Sequence, residues 1–214
     1  AHPQTQGMIH LSAIAHESWF TARPWLVCGT GPSLERFEPQ YIDLYNVWTI
    51  NSAIEATNWA DVAAMHDYDL VRELWMPPAE RIELGQYITA ANCKYIATRT
   101  SSVHLETQIA AQDHRRQLRY FEFDRDIPEL QGGKRYFKLH DLYQSSNSSS
   151  FAFYFLGSVG VRTIYTIGID GGKGKIALNV GDKYRARMQQ HDFDKENEGM
   201  EHWCRTYEIK RIKI

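Results

Sequence analysis

Cysteine is scarce, with Cys28, Cys93 and Cys204 widely spaced, odd in number and without a Cys-x-x-Cys pair. Neither a zinc signature nor a redox dithiol is therefore present, and a reducing cytoplasm is the expected compartment. Long apolar runs are missing too. The longest candidate, Phe151–Val161, is broken by Gly157, Ser158 and Gly160, falls short of the ~20 residues that cross a bilayer, and reads as a buried helix. Ala1–Gly7 carries neither the basic start nor the apolar body of a secretory signal. An excess of positive charge is also lacking: 24 Lys and Arg stand against 26 Asp and Glu, a formal charge of -2. That balance excludes the global basic field of a non-specific nucleic-acid binder, so any bound anion is held locally.

What the chain does have is apolar and aromatic content, 43% and 13% over 214 residues. A chain of this size buries roughly 70% of its unfolded surface, enough for one substantial core without disulfides or metals. Pro24–Cys28 is a short apolar run meeting Gly29-Thr30-Gly31-Pro32-Ser33-Leu34, a buried strand that ends in a tight turn and a helix start. Further strands are expected at Asn46–Ile50, Asp61–Met65, Lys94–Thr98, Thr163–Ile167 and Tyr207–Ile214, with alternation also at Leu118–Phe123. Helices are expected at Val103–His114, Phe151–Val159 and Lys195–Thr206, and Asp124–Arg135 reads as a surface excursion. Strands alternating with helices give the fold class: α/β, a single Rossmann-like domain with a mainly parallel sheet flanked by helices.

Four groups of residues are candidates for chemistry. In Gly29-x-Gly31-Pro32-Ser33, glycine permits a close turn and the next helix offers backbone N–H groups to a phosphate. An ordinary strand-to-helix turn would use the same residues. Gly168-Ile169-Asp170-Gly171-Gly172 follows a strand and places a carboxylate where open α/β sheets bind ligands; Asp170 either meets ribose hydroxyls or orients the loop. Lys173 and Lys175 follow as point charges for phosphate or as solvated loop lysines. Ser145–Ser150 supplies hydroxyls and N–H groups that either bind an anion or cap a helix. His191 is a candidate base because imidazole titrates near neutrality, with His66 and His140 as competitors. No spacing forms a metal signature.

Taken together, Gly29–Leu34, Asn51, Phe137–Tyr143, Gly160–Asp170 and the stretch from His191 to Thr206-Tyr207-Glu208-Ile209-Lys210 occur in one order. In that order they resemble the bacterial sialyltransferase family typified by the Campylobacter lipooligosaccharide enzymes. The chain is also similar to a broader Rossmann-like group that includes archaeal 6-hydroxymethylpterin pyrophosphokinases. The resemblance implies donor contacts at Gly29, Thr30, Gly31, Asn51, Asn147, Ser148, Ser149, Gly168 and Asp170; Pro32 and Ser33 of the same turn and the loop cation Lys173 join them as expected phosphate contacts on their own chemistry. It assigns His191 as the base that deprotonates the acceptor hydroxyl, with no metal required. The chain departs from the family at Ser145, where the family has an arginine, at Gly172, where it has a phosphate-binding tyrosine, and at Thr30, which replaces an asparagine.

The resemblance thus implies a glycosyltransferase of polysaccharide biosynthesis, moving sialic acid or a related sugar from a nucleotide donor, CMP-linked by analogy, to a hydroxyl acceptor. No cofactor beyond that donor is expected. Expected partners are the nucleotide sugar and a glycan or other acceptor, with peripheral membrane association and a homo-oligomer, and without nucleic acid. The expected division is an N-terminal extension over 1–20 and a nucleotide-binding α/β domain over 21–214. Two other functions fit the same residues. One is diphosphate transfer to a pterin-like alcohol, for which Asp67, Asp69, Asp170 and Asp182 would be metal ligands; the other is a non-catalytic nucleotide-binding module.

Overall fold

The computed structural model describes residues 11–64, 92–98, 119–122 and 148–214. Its strands are β1 (Trp25–Cys28), β2 (Asn46–Ile50), β3 (Ala60–Ala64), β4 (Cys93–Thr98), β5 (Arg119–Glu122), β6 (Thr163–Ile167) and β7 (Lys210–Lys213). They form one seven-stranded sheet in the order β5-β4-β3-β2-β1-β6-β7, and every adjacent pair is parallel. The Rossmann-like α/β domain expected from the strand and helix pattern is therefore present.

Parallel sheets bury both faces. All four residues of β1, all five of β2 and all five of β3 are accordingly buried. The alternation of side chains along β1 distributes them between two cores. Trp25 and Val27 join Trp48, Val62 and Ile164 on one face, while Leu26 and Cys28 join Leu34, Val47, Ile54 and Ile167 on the other.

Among the described residues two helices cover the first face: α3 (Ser148–Ser158) and α5 (Phe193–Thr206). Phe151 through Leu156 are buried without interruption, as expected of a helix that is apolar all round. Full burial of each of its phenylalanines contributes about 1.5–3 kcal/mol. From α5 come Met200, Trp203 and Cys204, with the Trp203 ring 4.7 Å from that of Tyr154. Ile14 and Phe20, within the stretch read as an extension, also belong to this core; Ile14 lies in a 3-10 helix over Leu11–His16.

Against the second face lie a 3-10 helix at Pro32–Arg36, α1 (Tyr41–Leu44) and α2 (Ala53–Thr57), together with α4 (Asp182–Met188). Helix α4 occupies a stretch that reads as polar loop, because only Tyr184 among its seven residues is buried. The last helix starts at Phe193 rather than Lys195, since the Asp192 carboxylate caps it by accepting from the Asp194 N–H at 3.1 Å. The final strand is shorter than Tyr207–Ile214 because the Tyr207 N–H still closes the helix onto the Trp203 carbonyl. The stretches at Val103–His114 and Asp124–Arg135 lie outside the described residues. Among the described residues no helix is long and apolar enough to cross a membrane.

The order of strands reverses at β1. From β1 the chain proceeds outward through β2 to β5, then returns to place β6 on the other side of β1. The crevice at the carboxyl ends of β1 and β6 is therefore the switch point, where ligands of open α/β sheets bind.

Candidate active site

The turns leaving β1 and β6 interlock. The Gly29 N–H donates to the Ile167 carbonyl at 2.9 Å, and the Gly31 N–H donates to the Gly168 carbonyl at 2.7 Å. Ser33 Oγ accepts the Gly168 N–H at 2.7 Å, while the Ser33 N–H donates to Asp170 Oδ2 at 2.7 Å. Glycine is required where the backbones touch: a Cβ on Gly29 would stand 2.4 Å from the Gly168 carbonyl oxygen. Arg211 of β7 supports the second turn by donating to the Ile169 carbonyl at 2.8 Å. Burial pulls its guanidinium below the usual arginine range, with Glu201 opposing that shift.

Above these turns opens a narrow cleft with a cavity volume of about 50 Å³, smaller than the ~300–1,000 Å³ typical of small-molecule sites. Gly29, Thr30, Gly31, Asn51, Ser149, Gly168 and Asp170 all line it. Seven of the residues singled out in the sequence are thus brought together. Pro32 and Ser33 lie in the supporting 3-10 turn. Ser148 opens α3, and Asn147 lies outside the described residues, as do His66, His140, Asp67, Asp69 and Ser145. Lys173 is not among the lining residues; it forms a backbone bridge with Asp192, while Lys175 supplies the cleft's cation.

The wall carries further residues that the sequence did not single out. Tyr184 of α4, 5% exposed, reaches the carboxyl ends of β1 and β2, where Thr30 and Asn51 side chains hydrogen-bond to its hydroxyl. Burial raises the phenol's pKa above its ordinary value, and these two hydrogen bonds oppose the rise. Asn51 holds a left-handed backbone with φ of 50°, a conformation asparagine adopts more readily than most residues. Met188, Phe193 and Met200 give the opposite wall its apolar character, and Glu196 and Asn197 stand among them.

His191 precedes α5 and is not among the residues lining the cleft; it touches Phe193 and Glu196, which are. Its Nε2 is 2.5 Å from Glu196 Oε1, and its ring packs 4.6 Å from Phe193. The hydrogen bond to Glu196 raises the imidazole's pKa above the usual histidine range, partial burial works against it, and the charges of Glu196 and Asp192 add to the rise. The Gly172 backbone N–H donates to Asp194 Oδ1 at 2.8 Å. Among the described residues no group of three or more His, Cys, Asp or Glu side chains is arranged to hold a metal ion.

No protein-family profile matches the chain, and no curated protein matches it by sequence. Solved structures do. The sialyltransferase CstII from Campylobacter jejuni in complex with cytidine-5'-monophosphate is 17% identical, with 89% of this chain and 79% of that one covered at a TM-score of 0.55. The same enzyme in complex with CMP-3FNeuAc gives 16%, 89%, 81% and 0.56. The monofunctional alpha-2,3-sialyltransferase Cst-I from Campylobacter jejuni gives 14%, 89%, 75% and 0.52. At these identities the likeness defines a class of fold. The chain has the α/β architecture seen in these bacterial sialyltransferases.

Proposed function

We propose that this chain is a glycosyltransferase that moves a sugar from a nucleotide donor to a hydroxyl acceptor. The observation that carries the reading is the cleft itself: two glycine turns locked together at the switch point, with Thr30, Asn51 and Tyr184 presenting polar groups and Lys175 a cation. It stands on the same fold as enzymes solved with CMP and CMP-3FNeuAc, which favours a CMP-linked donor and sialic acid or a related sugar.

In this reading Gly29, Gly31 and Gly168 shape the floor, Thr30, Asn51, Ser149 and Asp170 hold the nucleoside and sugar, and Lys175 faces the phosphate. Asn147 and Ser148 complete the donor side on the resemblance alone, and Lys173 on its charge as a loop cation. His191 takes the proton of the acceptor hydroxyl as that oxygen bonds to the anomeric carbon, and the bond from that carbon to the phosphate oxygen breaks with its electron pair leaving on the nucleotide. The transfer needs no metal in this scheme. A glycan acceptor, peripheral membrane association, a cytoplasmic site of action and self-association belong to the same proposal.

The test begins with calorimetry of CMP, CDP, UDP, GDP and ATP on the folded protein, followed by mass-resolved product analysis with the corresponding sugar nucleotides and acceptors. Saturable binding of a cytidine nucleotide and release of CMP on transfer are expected. His191→Ala should lower turnover roughly 10²–10⁴-fold while sparing donor binding. No binding of any nucleotide refutes the reading. Magnesium-dependent formation of AMP from ATP and a pterin-like alcohol would instead select diphosphate transfer, and binding without turnover by any acceptor would select a binding module.

A further inference from the structure

A histidine that acts as a base must present one ring nitrogen with a free lone pair. Which nitrogen that is depends on what the other one bonds. Here the backbone around His191 is fixed from three sides: its N–H donates to the Met188 carbonyl at 3.0 Å, its carbonyl accepts the Gly174 N–H at 2.9 Å, and the Phe193 N–H donates to the Gly172 carbonyl at 3.0 Å. The ring is held between Phe193 and the carboxylate of Glu196, whose side chain is 20% exposed and lines the cleft. Charged and titratable groups on the surrounding elements are Asp192 and Asp194 at the start of α5, Lys173 and Lys175 on the preceding loop, and Tyr184 and Arg187 on α4. Among the described residues only Glu196 makes a hydrogen bond to the ring.

We propose that Glu196 is the positioning residue for His191: its carboxylate accepts the Nε2–H, which fixes the imidazole's tautomer and leaves the Nδ1 lone pair to receive the acceptor's proton. The role rests on the reading of His191 as the base. The proton leaves the acceptor oxygen for Nδ1 as the new glycosidic bond forms, and the resulting imidazolium stays paired with the Glu196 carboxylate. No proton need pass to Glu196. A carboxylate in this place both orients the ring and stabilises the charge that develops on it. Its position on the first turn of α5 couples the cleft wall to the histidine through a single side chain. A carboxylate that served only the helix amino end would satisfy local backbone N–H groups, a task performed at this helix by Asp192, while Asp194 accepts from the Gly172 N–H of the preceding loop.

The experiment follows the imidazole directly, by nitrogen-15 NMR of histidine-labelled protein in the wild type, Glu196→Gln and Glu196→Asp, with circular dichroism confirming the fold. In the wild type the neutral ring should be the Nε2–H tautomer and should titrate above the ordinary histidine value. Glu196→Gln should move the titration to lower pH and mix the tautomers, and Glu196→Asp should restore part of both. With a working donor and acceptor, Glu196→Gln should lower kcat roughly 10–10²-fold, less than the loss of a fully buried orienting carboxylate, and leave the donor KM unchanged. The rising limb of the pH profile should move to lower pH with the ring's titration. Unchanged tautomer and titration in Glu196→Gln overturn the proposal whatever the activity; if that variant does not fold, a non-Nε2–H ring in the wild type overturns it equally. A ring that shifts as expected while His191→Ala turns over like the wild type overturns the base assignment alone.

Discussion

Replacing Gly168 by alanine tests whether the two turns are locked by contact or merely adjacent. Gly168 has φ of +70°, and a Cβ there would meet the Gly29 carbonyl oxygen at 2.2 Å and Leu34 Cβ at 3.1 Å. The left-handed backbone costs an L residue about 1–2 kcal/mol. The contact adds to it, because the obstructing atom is a backbone oxygen and cannot rotate away, and Gly29 is itself tied through its N–H to Ile167. Forced overpacking of this kind costs about 1–3 kcal/mol, so Gly168→Ala should destabilise the fold by roughly 2–5 kcal/mol. A control lies in the same chain: Gly160 also has a positive φ, +98°, yet nothing stands within 4 Å of its Cβ position. Urea unfolding of both variants, with unchanged denaturant slopes, isolates the contact as the difference between them, expected at about 1–3 kcal/mol. Equal losses of stability would refute the interlocked turns.

Two further outcomes are expected. Lys175→Met should weaken nucleotide binding by about 1 kcal/mol, roughly fivefold, because the lysine is exposed and its interaction is screened; calorimetry at low and high salt should show the difference shrinking with salt. Burial holds the Cys28 thiol far above its usual range and pushes that of Cys204 up to about 11, so at pH 8 neither supplies an accessible thiolate. Disulfide-exchange reagents should label both only as fast as the protein opens, and stoichiometric labelling within seconds of mixing native protein would contradict the packing.

The fold was legible where a segment's own residues decide its state. Asn46–Ile50 and Thr163–Ile167 are strands to the residue, because short β-branched and aromatic runs in a two-sided sheet carry their burial in their composition. The buried helix expected at Phe151–Val159 was legible for the same reason, although the structure begins it at Ser148 and ends it at Ser158. The helix Asp182–Met188 was not. Its sequence, Asp-Lys-Tyr-Arg-Ala-Arg-Met, has just one fully buried side chain, and what holds it is tertiary: Tyr184 in the second core and the Gly181 N–H donating to Glu55 Oε2 at 3.0 Å across 126 residues. The glycine turns were visible as motifs, but their mutual contact was not, since neither motif reveals which residue of the other it touches. Tyr184 and Glu196 left no local signal at all. A lone tyrosine among charges and a glutamate in a first helical turn look like surface residues until the fold carries one to Thr30 and the other to His191.

The reversal of strand order at β1 has a bearing on how the protein comes into being. During synthesis β1 can pair with β2 almost at once, but its other neighbour is β6, and the Ser33 to Asp170 tie spans 137 residues. Until the chain has grown that far, one flank of an entirely apolar strand stays unpaired, an edge of the kind that recruits other chains. The nascent N-terminal part must therefore be shielded or kept from collapsing on its fellows. The cleft itself appears late, since its floor needs Gly168 and its far wall needs Phe193 and Met200. Any ligand that fills this cleft would consequently reward only the finished domain, drawing the folding equilibrium toward chains whose last third is already in place.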